Sequence, residues 1–137
     1  MGSDIDGEAA GDQFGNSVAM SNDGKTIVVG GPLNNGNGEY SGHVRVFEYS
    51  DGVWNQLGAD IDGEAASDYF GTSVALSRDG RTIVAGGPGK GAWNRDGSGH
   101  ARVFEYNGVP GVNSVLTLTV NLQLIILDLA SQCLEMD

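Results

Sequence analysis

Short runs of β-branched and apolar residues alternate with polar ones through most of the chain, and Gly, Asn, Asp or Pro punctuate them. Ser17–Ser21 and Thr26–Gly30 are two such runs. Joined across Asp23-Gly24, they predict a β-hairpin. The stretch FGNSVAMSNDGKTIVVGGP (Phe14–Pro32) returns as FGTSVALSRDGRTIVAGGP (Phe70–Pro88). The copies differ only at Asn16/Thr72, Met20/Leu76, Asn22/Arg78, Lys25/Arg81 and Val29/Ala85, mostly swaps of like for like. GHVRVFEY (Gly42–Tyr49) returns as GHARVFEY (Gly99–Tyr106). Self-similarity at a period of about 50 residues means a propeller or a solenoid.

Each copy supplies the hairpin and a third strand at Gly42–Tyr49 or Gly99–Tyr106. Val53–Leu57, reached through Ser50-Asp51-Gly52, is a fourth. In the third strand Val44 and Val46 share one face, and Arg45, Phe47 and Tyr49 share the other, so both faces carry bulk and the sheet is packed on both sides. Four short strands per repeat predict an all-β fold of about two four-stranded antiparallel propeller blades, a partial β-propeller. The first repeat runs over 1–57. The second, 58–108, lacks a fourth strand of its own, and 109–137 departs from the pattern. Met1 aligns with Leu57, which gives the expectation of a truncated chain that starts inside a repeat. The connections at 33–41 and 89–97 differ between copies, as loops do.

The paired elements Phe14-Gly15 with Gly30-Gly31-Pro32, and Phe70-Gly71 with Gly86-Gly87-Pro88, resemble the FG-GAP repeat of integrin-alpha-like β-propellers, with glycine in place of the alanine. The resemblance covers residues 2–106. It implies a non-enzymatic repeat segment of a larger adhesion or ligand-binding protein, extracellular or at the cell surface, with a protein or carbohydrate ligand. Many FG-GAP repeats also carry a calcium loop of alternating aspartates between the first two strands. Here that connection is only Asn22–Lys25 or Arg78–Arg81, so that site does not transfer. Two other readings stand beside the first: an intracellular scaffold of the WD-propeller kind, against which the missing Trp-Asp counts, and a propeller glycoside hydrolase, which needs non-repeated acids facing the channel.

After Asn107 the repeat should continue with Trp-x-Gln-Leu-Gly. Read one base out of frame from the Pro110/Gly111 junction, the tail permits WSQLGADIDGEFAADYFGSSVAMSRDG, a third copy of Trp54–Gly80. Mismatches fall only opposite Asn55, Ala65, Ser67 and Thr72, and Met136-Asp137 forces the final glycine. This gives the expectation of a frame slip near residues 107–110. As written, the tail still alternates Leu116, Leu118, Val120, Leu122, Leu124 and Ile126 against polar residues, a strand over 113–127 able to pair with the edge that the missing fourth strand leaves.

Charge narrows the partners. Lys and Arg number 7 against 18 Asp and Glu, a net −11, which argues against nucleic acid and anionic membrane surfaces. Cys133 is the only cysteine, so neither an intrachain disulfide nor a thiolate metal cluster is available. No apolar run approaches the ~20 residues of a membrane span.

The acidic segment Asp4-Ile5-Asp6-Gly7-Glu8 with Asp12 returns as Asp60-Ile61-Asp62-Gly63-Glu64 with Asp68. Alternating carboxylates beside a glycine suit calcium, so Asp4, Asp6, Asp12, Asp60, Asp62 and Asp68 are candidate ligands, set against a plain solvated linker. No other cofactor is expected. His43 and His100 read as buried posts that hydrogen-bond the third strand to a neighbouring loop. Trp54 reads as core, and Trp93 as an exposed ligand contact in a variable loop. Phe14, Gly15, Gly30, Gly31, Pro32, Phe70, Gly71, Gly86, Gly87 and Pro88 read as structural. No catalytic constellation stands out, and two blades in isolation are expected to self-associate through their open faces.

Overall fold

The computed structural model describes residues 1–89 and 99–106, and the backbone of 115–120. The first sheet has the order β1 (Ser17–Met20), β2 (Thr26–Gly31), β3 (His43–Ser50), β4 (Val53–Gln56), all neighbours antiparallel. The two-residue β5 (Ile61–Asp62) pairs with His43 and Val44, on the part of β3 that β4 leaves free. The chain thus runs twice along the same strand, interrupted at Gly58–Asp60, and the second repeat opens on the outer edge of the first blade.

The second sheet repeats this order as β6 (Ser73–Leu76), β7 (Thr82–Gly87), β8 (His100–Tyr106), β9 (Val115–Val120). β9 lies against β8 with Ala101 opposite Val120 and Glu105 opposite Leu116, where β4 and β5 lie in the first blade. The rest of the tail strand expected over 113–127 lies outside the described residues. Among the described residues no helix is long and apolar enough to cross a membrane.

The hairpins close as their sequence dictates. Ser21 Oγ donates to Asp23 Oδ1 at 2.7 Å and accepts from Thr26 N at 3.0 Å, while Lys25 N donates to the same carboxylate oxygen at 2.9 Å. Ser77, Asp79, Arg81 and Thr82 repeat the arrangement within 0.1 Å. The connection is a five-residue loop, Ser21–Lys25 or Ser77–Arg81, and not a two-residue primed turn, because only Gly24 and Gly80, not the aspartates, adopt positive φ.

Register sorts each sheet into two faces. Ala19, Val28, Val44 and Val46 share one, and Val18, Met20, Ile27, Val29 and Phe47 share the other. The core forms where the first of these faces meets the second blade. Val28, Val44 and Val46 pack with Phe70, Ile83, Ala85 and Phe104, flanked by Leu57, Ile61, Val74 and Leu76. Full burial of each such side chain stabilises by about 1.5–3 kcal/mol. Trp54, expected in the core, is half-buried at the edge against Tyr49, and its Nε1 donates to Met1 O at 3.1 Å. It lies on the outer strand, where only one side of the ring finds cover.

The glycines of the repeat are explained by the junction. Gly71 donates its N–H to Gly86 O at 3.1 Å within its own blade, and its carbonyl accepts from Ser17 Oγ of the preceding one at 2.7 Å. A Cβ on Gly30 would land on that carbonyl, and one on Gly42, which sits at φ 77°, on the carbonyl of Phe70. Phe-Gly of one repeat is thus seated in the glycine-lined end of the repeat before it.

Candidate functional site at the repeat junction

The residues that alternation gives to the outward face of β3 converge with the acidic linkers. The guanidinium of Arg45 lies against the edge-to-face pair of Phe14 and Phe47, 5.5 and 5.2 Å from their ring centroids. Its Nη1 donates to Asp6 O at 3.4 Å, its Nη2 to Gln56 Oε1 at 2.7 Å and its Nε to Asp60 Oδ1 at 3.2 Å, with Glu8 Oε1 at 3.8 Å. Arg102 repeats this against Phe70 and Phe104 at 4.9 and 5.0 Å. Its Nη1 donates to Asp62 O at 2.7 Å, and Glu64 Oε1 lies 3.7 Å from its Nε. Cation–π contact with a pair of rings and hydrogen bonds to linker oxygens make each arginine the post that holds a linker to its blade.

The two posts differ in one respect. Arg45 receives Asp60 and Gln56 from the returning fourth strand, whereas the buried Nε of Arg102 has no hydrogen-bond partner. The written tail strand VLTLTV offers neither a carboxylate nor an amide at the corresponding place.

The acids divide by blade. Asp60 serves the first blade, while Asp62, Glu64 and Asp68 serve the second. Asp4 and Asp6 are exposed, and Asp6 contributes its main-chain carbonyl. Asp12 is buried and accepts from Asn34 Nδ2 at 2.8 Å; Asp68 is buried and accepts from Ala65 N at 3.0 Å. Of the six acids, only Asp60 joins a group of three potential ligand atoms within 4.8 Å of one another among the described residues. Its companions are Glu8 and His43.

The hydrogen bond shared with Asp60 is the main cause that raises the Glu8 carboxyl above its ordinary range, with burial and the Asp60 charge adding to it. Burial pushes Asp60 upward, but the bonds from Glu8 and Gln56 and the charges of Arg45 and His43 outweigh it and hold the carboxyl low. Burial lowers His43, against the pull of Asp60 and Asp12. Burial, followed by the Asp60 charge, raises Asp62.

The histidines were expected to act alike, and they do not. His100 Nδ1 lies 2.9 Å from Gly89 O, tying β8 to the loop beyond Pro88. His43 is wholly buried, yet neither of its ring nitrogens has a hydrogen-bond partner. Its ring meets Phe14 edge-on at 66°, where His100 stacks on Phe70 at 17°, and this turns Nδ1 toward Asp60 Oδ2, 3.8 Å away.

The model of the FG-GAP repeat matches residues 5–47 and 59–104, the two blades just described. The chain belongs to the FG-GAP repeat family. No curated protein matches it. In this FG-GAP chain the calcium loop of other members has no counterpart: each hairpin loop holds one aspartate, and Asp23 and Asp79 both spend an oxygen on the turn itself. Phe70, Gly71 and Gly30 lie at the blade junction, whereas Phe14 and Gly15 lie on the open side of the first blade; Pro32 is buried and Pro88 exposed. Trp93 lies outside the described residues. Sequence reading missed Arg45 and Arg102. The signal was present as His-x-Arg-x-Phe in both copies, but the partners come from segments distant in sequence.

Proposed function

We propose that this chain is a non-enzymatic, ligand-binding segment of an FG-GAP β-propeller, working in adhesion outside the cell or at its surface. The observation that carries the reading is a division of labour between repeated and unrepeated residues. Phe-Gly, Gly-Gly-Pro and the arginine posts recur in both copies and hold the blades and their linkers together. The connection from Leu33 to Ser41 does not recur, and it presents Asn35–Tyr40 to solvent.

That loop is firmly seated. Asn37 Nδ2 donates to Gly63 O at 2.9 Å and to Glu64 O at 3.0 Å, and Tyr69 N donates to Tyr40 O at 2.9 Å. Tyr40 stacks on Tyr69 at 5.9 Å between centroids and 18° between planes. A preorganised pair of tyrosines beside Glu39 suits the apolar face of a sugar or a side chain of a protein ligand.

The test is an array of glycans and extracellular-matrix proteins probed with the full chain. Tyr40 sits at φ 57°, so Tyr40→Asn removes the ring while keeping a residue that accepts that backbone. The variant should lose most of the binding with its melting temperature unchanged. Turnover on a panel of glycosides would overturn the non-enzymatic reading.

A further inference from the structure

We propose that Glu8, His43 and Asp60 form a site for a divalent transition-metal ion of the zinc class, built across the junction of the two repeats. The three ligand atoms lie within 4.8 Å of one another, and each comes from a different segment: the first linker, β3 and the second linker. One imidazole nitrogen and two carboxylate oxygens are a donor set that zinc accepts, with a fourth position left for water.

A second observation is independent of the acids. His43 is fully buried, and both ring nitrogens lack a hydrogen-bond partner, a costly state for a buried polar side chain. Its Nδ1 faces Asp60 Oδ2 at 3.8 Å, too far for a hydrogen bond and open to an ion that draws the two together. Asp60 is already oriented for this. Its Oδ1 accepts from Arg45 Nε at 3.2 Å and Gln56 Nε2 at 2.6 Å, so outer-shell partners fix one oxygen and leave the other toward the histidine. Glu8, its side chain 43% exposed, is the arm that can swing in. Calcium fits this set less well, because it takes six or more oxygens and has little use for imidazole.

The chain has two histidines, and around His100 the described residues offer no equivalent trio, so the expected stoichiometry is one ion. The experiment uses the full chain with Cys133→Ser, which removes the only thiol. Zinc chloride is titrated by calorimetry in competition with a chromophoric chelator, and cobalt(II) chloride is followed by its visible bands. One equivalent of zinc should bind and raise the melting temperature, and cobalt bands should match N/O ligation. Glu8→Gln and His43→Gln should each weaken binding by about tenfold or more, the scale on which even outer-shell losses are felt. Glu8→Gln decides the matter if His43→Gln fails to fold, since Glu8 is a surface residue. Absence of binding to the parent chain, or affinity unchanged in Glu8→Gln, overturns the site.

Discussion

Arg45 and Arg102 occupy the same place in two copies of one motif, yet their surroundings differ. Arg45 has the rings of Phe14 and Phe47 beside it and four oxygen partners within 4 Å. Arg102 keeps the rings and one linker carbonyl but has a buried Nε without a hydrogen bond. Lysine cannot reproduce the planar fork or its contact with the rings. Arg45→Lys should therefore destabilise by about 1–3 kcal/mol, more than Arg102→Lys, because it strands Asp60 and Gln56 as well. Urea denaturation of the two variants checks the order. At this scale the sequence was only partly informative. It marked His43 and His100 by their recurrence, but not their opposite ring orientations, which packing on Phe14 and Phe70 sets. It repeated the arginines in His-x-Arg-x-Phe but did not show their partners, which lie up to 40 residues away.

The hairpins are the elements in which local chemistry decides most. Ser21-x-Asp-Gly and Ser77-x-Asp-Gly each place a hydroxyl, a carboxylate and a left-handed glycine where the loop needs them. Their strands could accordingly be read to within a residue, because turn and alternation sit in one short stretch. The broken fourth strand was harder. The gap between β4 and β5 arises because Asp60 turns its side chain to Arg45 and Gln56, a tertiary demand that alternation does not encode. The same bonds in the hairpins give a pH signature. The serine hydroxyl, followed by the backbone N–H of Lys25 or Arg81, holds Asp23 and Asp79 below their ordinary 3.8. Their contribution to stability is thus fully present above that value and is lost as pH falls through the lower folded pKa. Asp23→Asn with Asp79→Asn removes both titrations, so the melting temperature of the double variant should fall less steeply than that of the parent below about pH 4. Equal slopes would show that the turns carry no linkage.

Over the whole molecule, the repeat told more than any residue, because a period of this kind implies stacked blades whatever their ligand. The interface that stacking produces is directional. One face of the first sheet receives the opposite face of the second, where Val74 and Leu76 are packed against the core. Their counterparts Val18 and Met20 are 65% and 57% exposed, and Phe14 is half-buried where Phe70 is fully buried. The first blade therefore shows solvent the same apolar surface that the second blade buries. Such a surface signals an interface. A second copy can supply the covering blade, since the geometry that joins the two repeats is already encoded in each of them. The chain should then associate with itself, and Val18→Lys with Met20→Lys should return it to monomer with little loss of stability, as neither side chain is packed. Val74→Ser with Leu76→Ser, made at the equivalent positions that pack against the core, should instead cost about 2–5 kcal/mol by removing core contacts. Light scattering across a concentration series, read beside urea melts, separates the two effects. A parent chain that stays monomeric at every concentration would mean that this face needs no cover, and the exposed pair would then be ordinary surface.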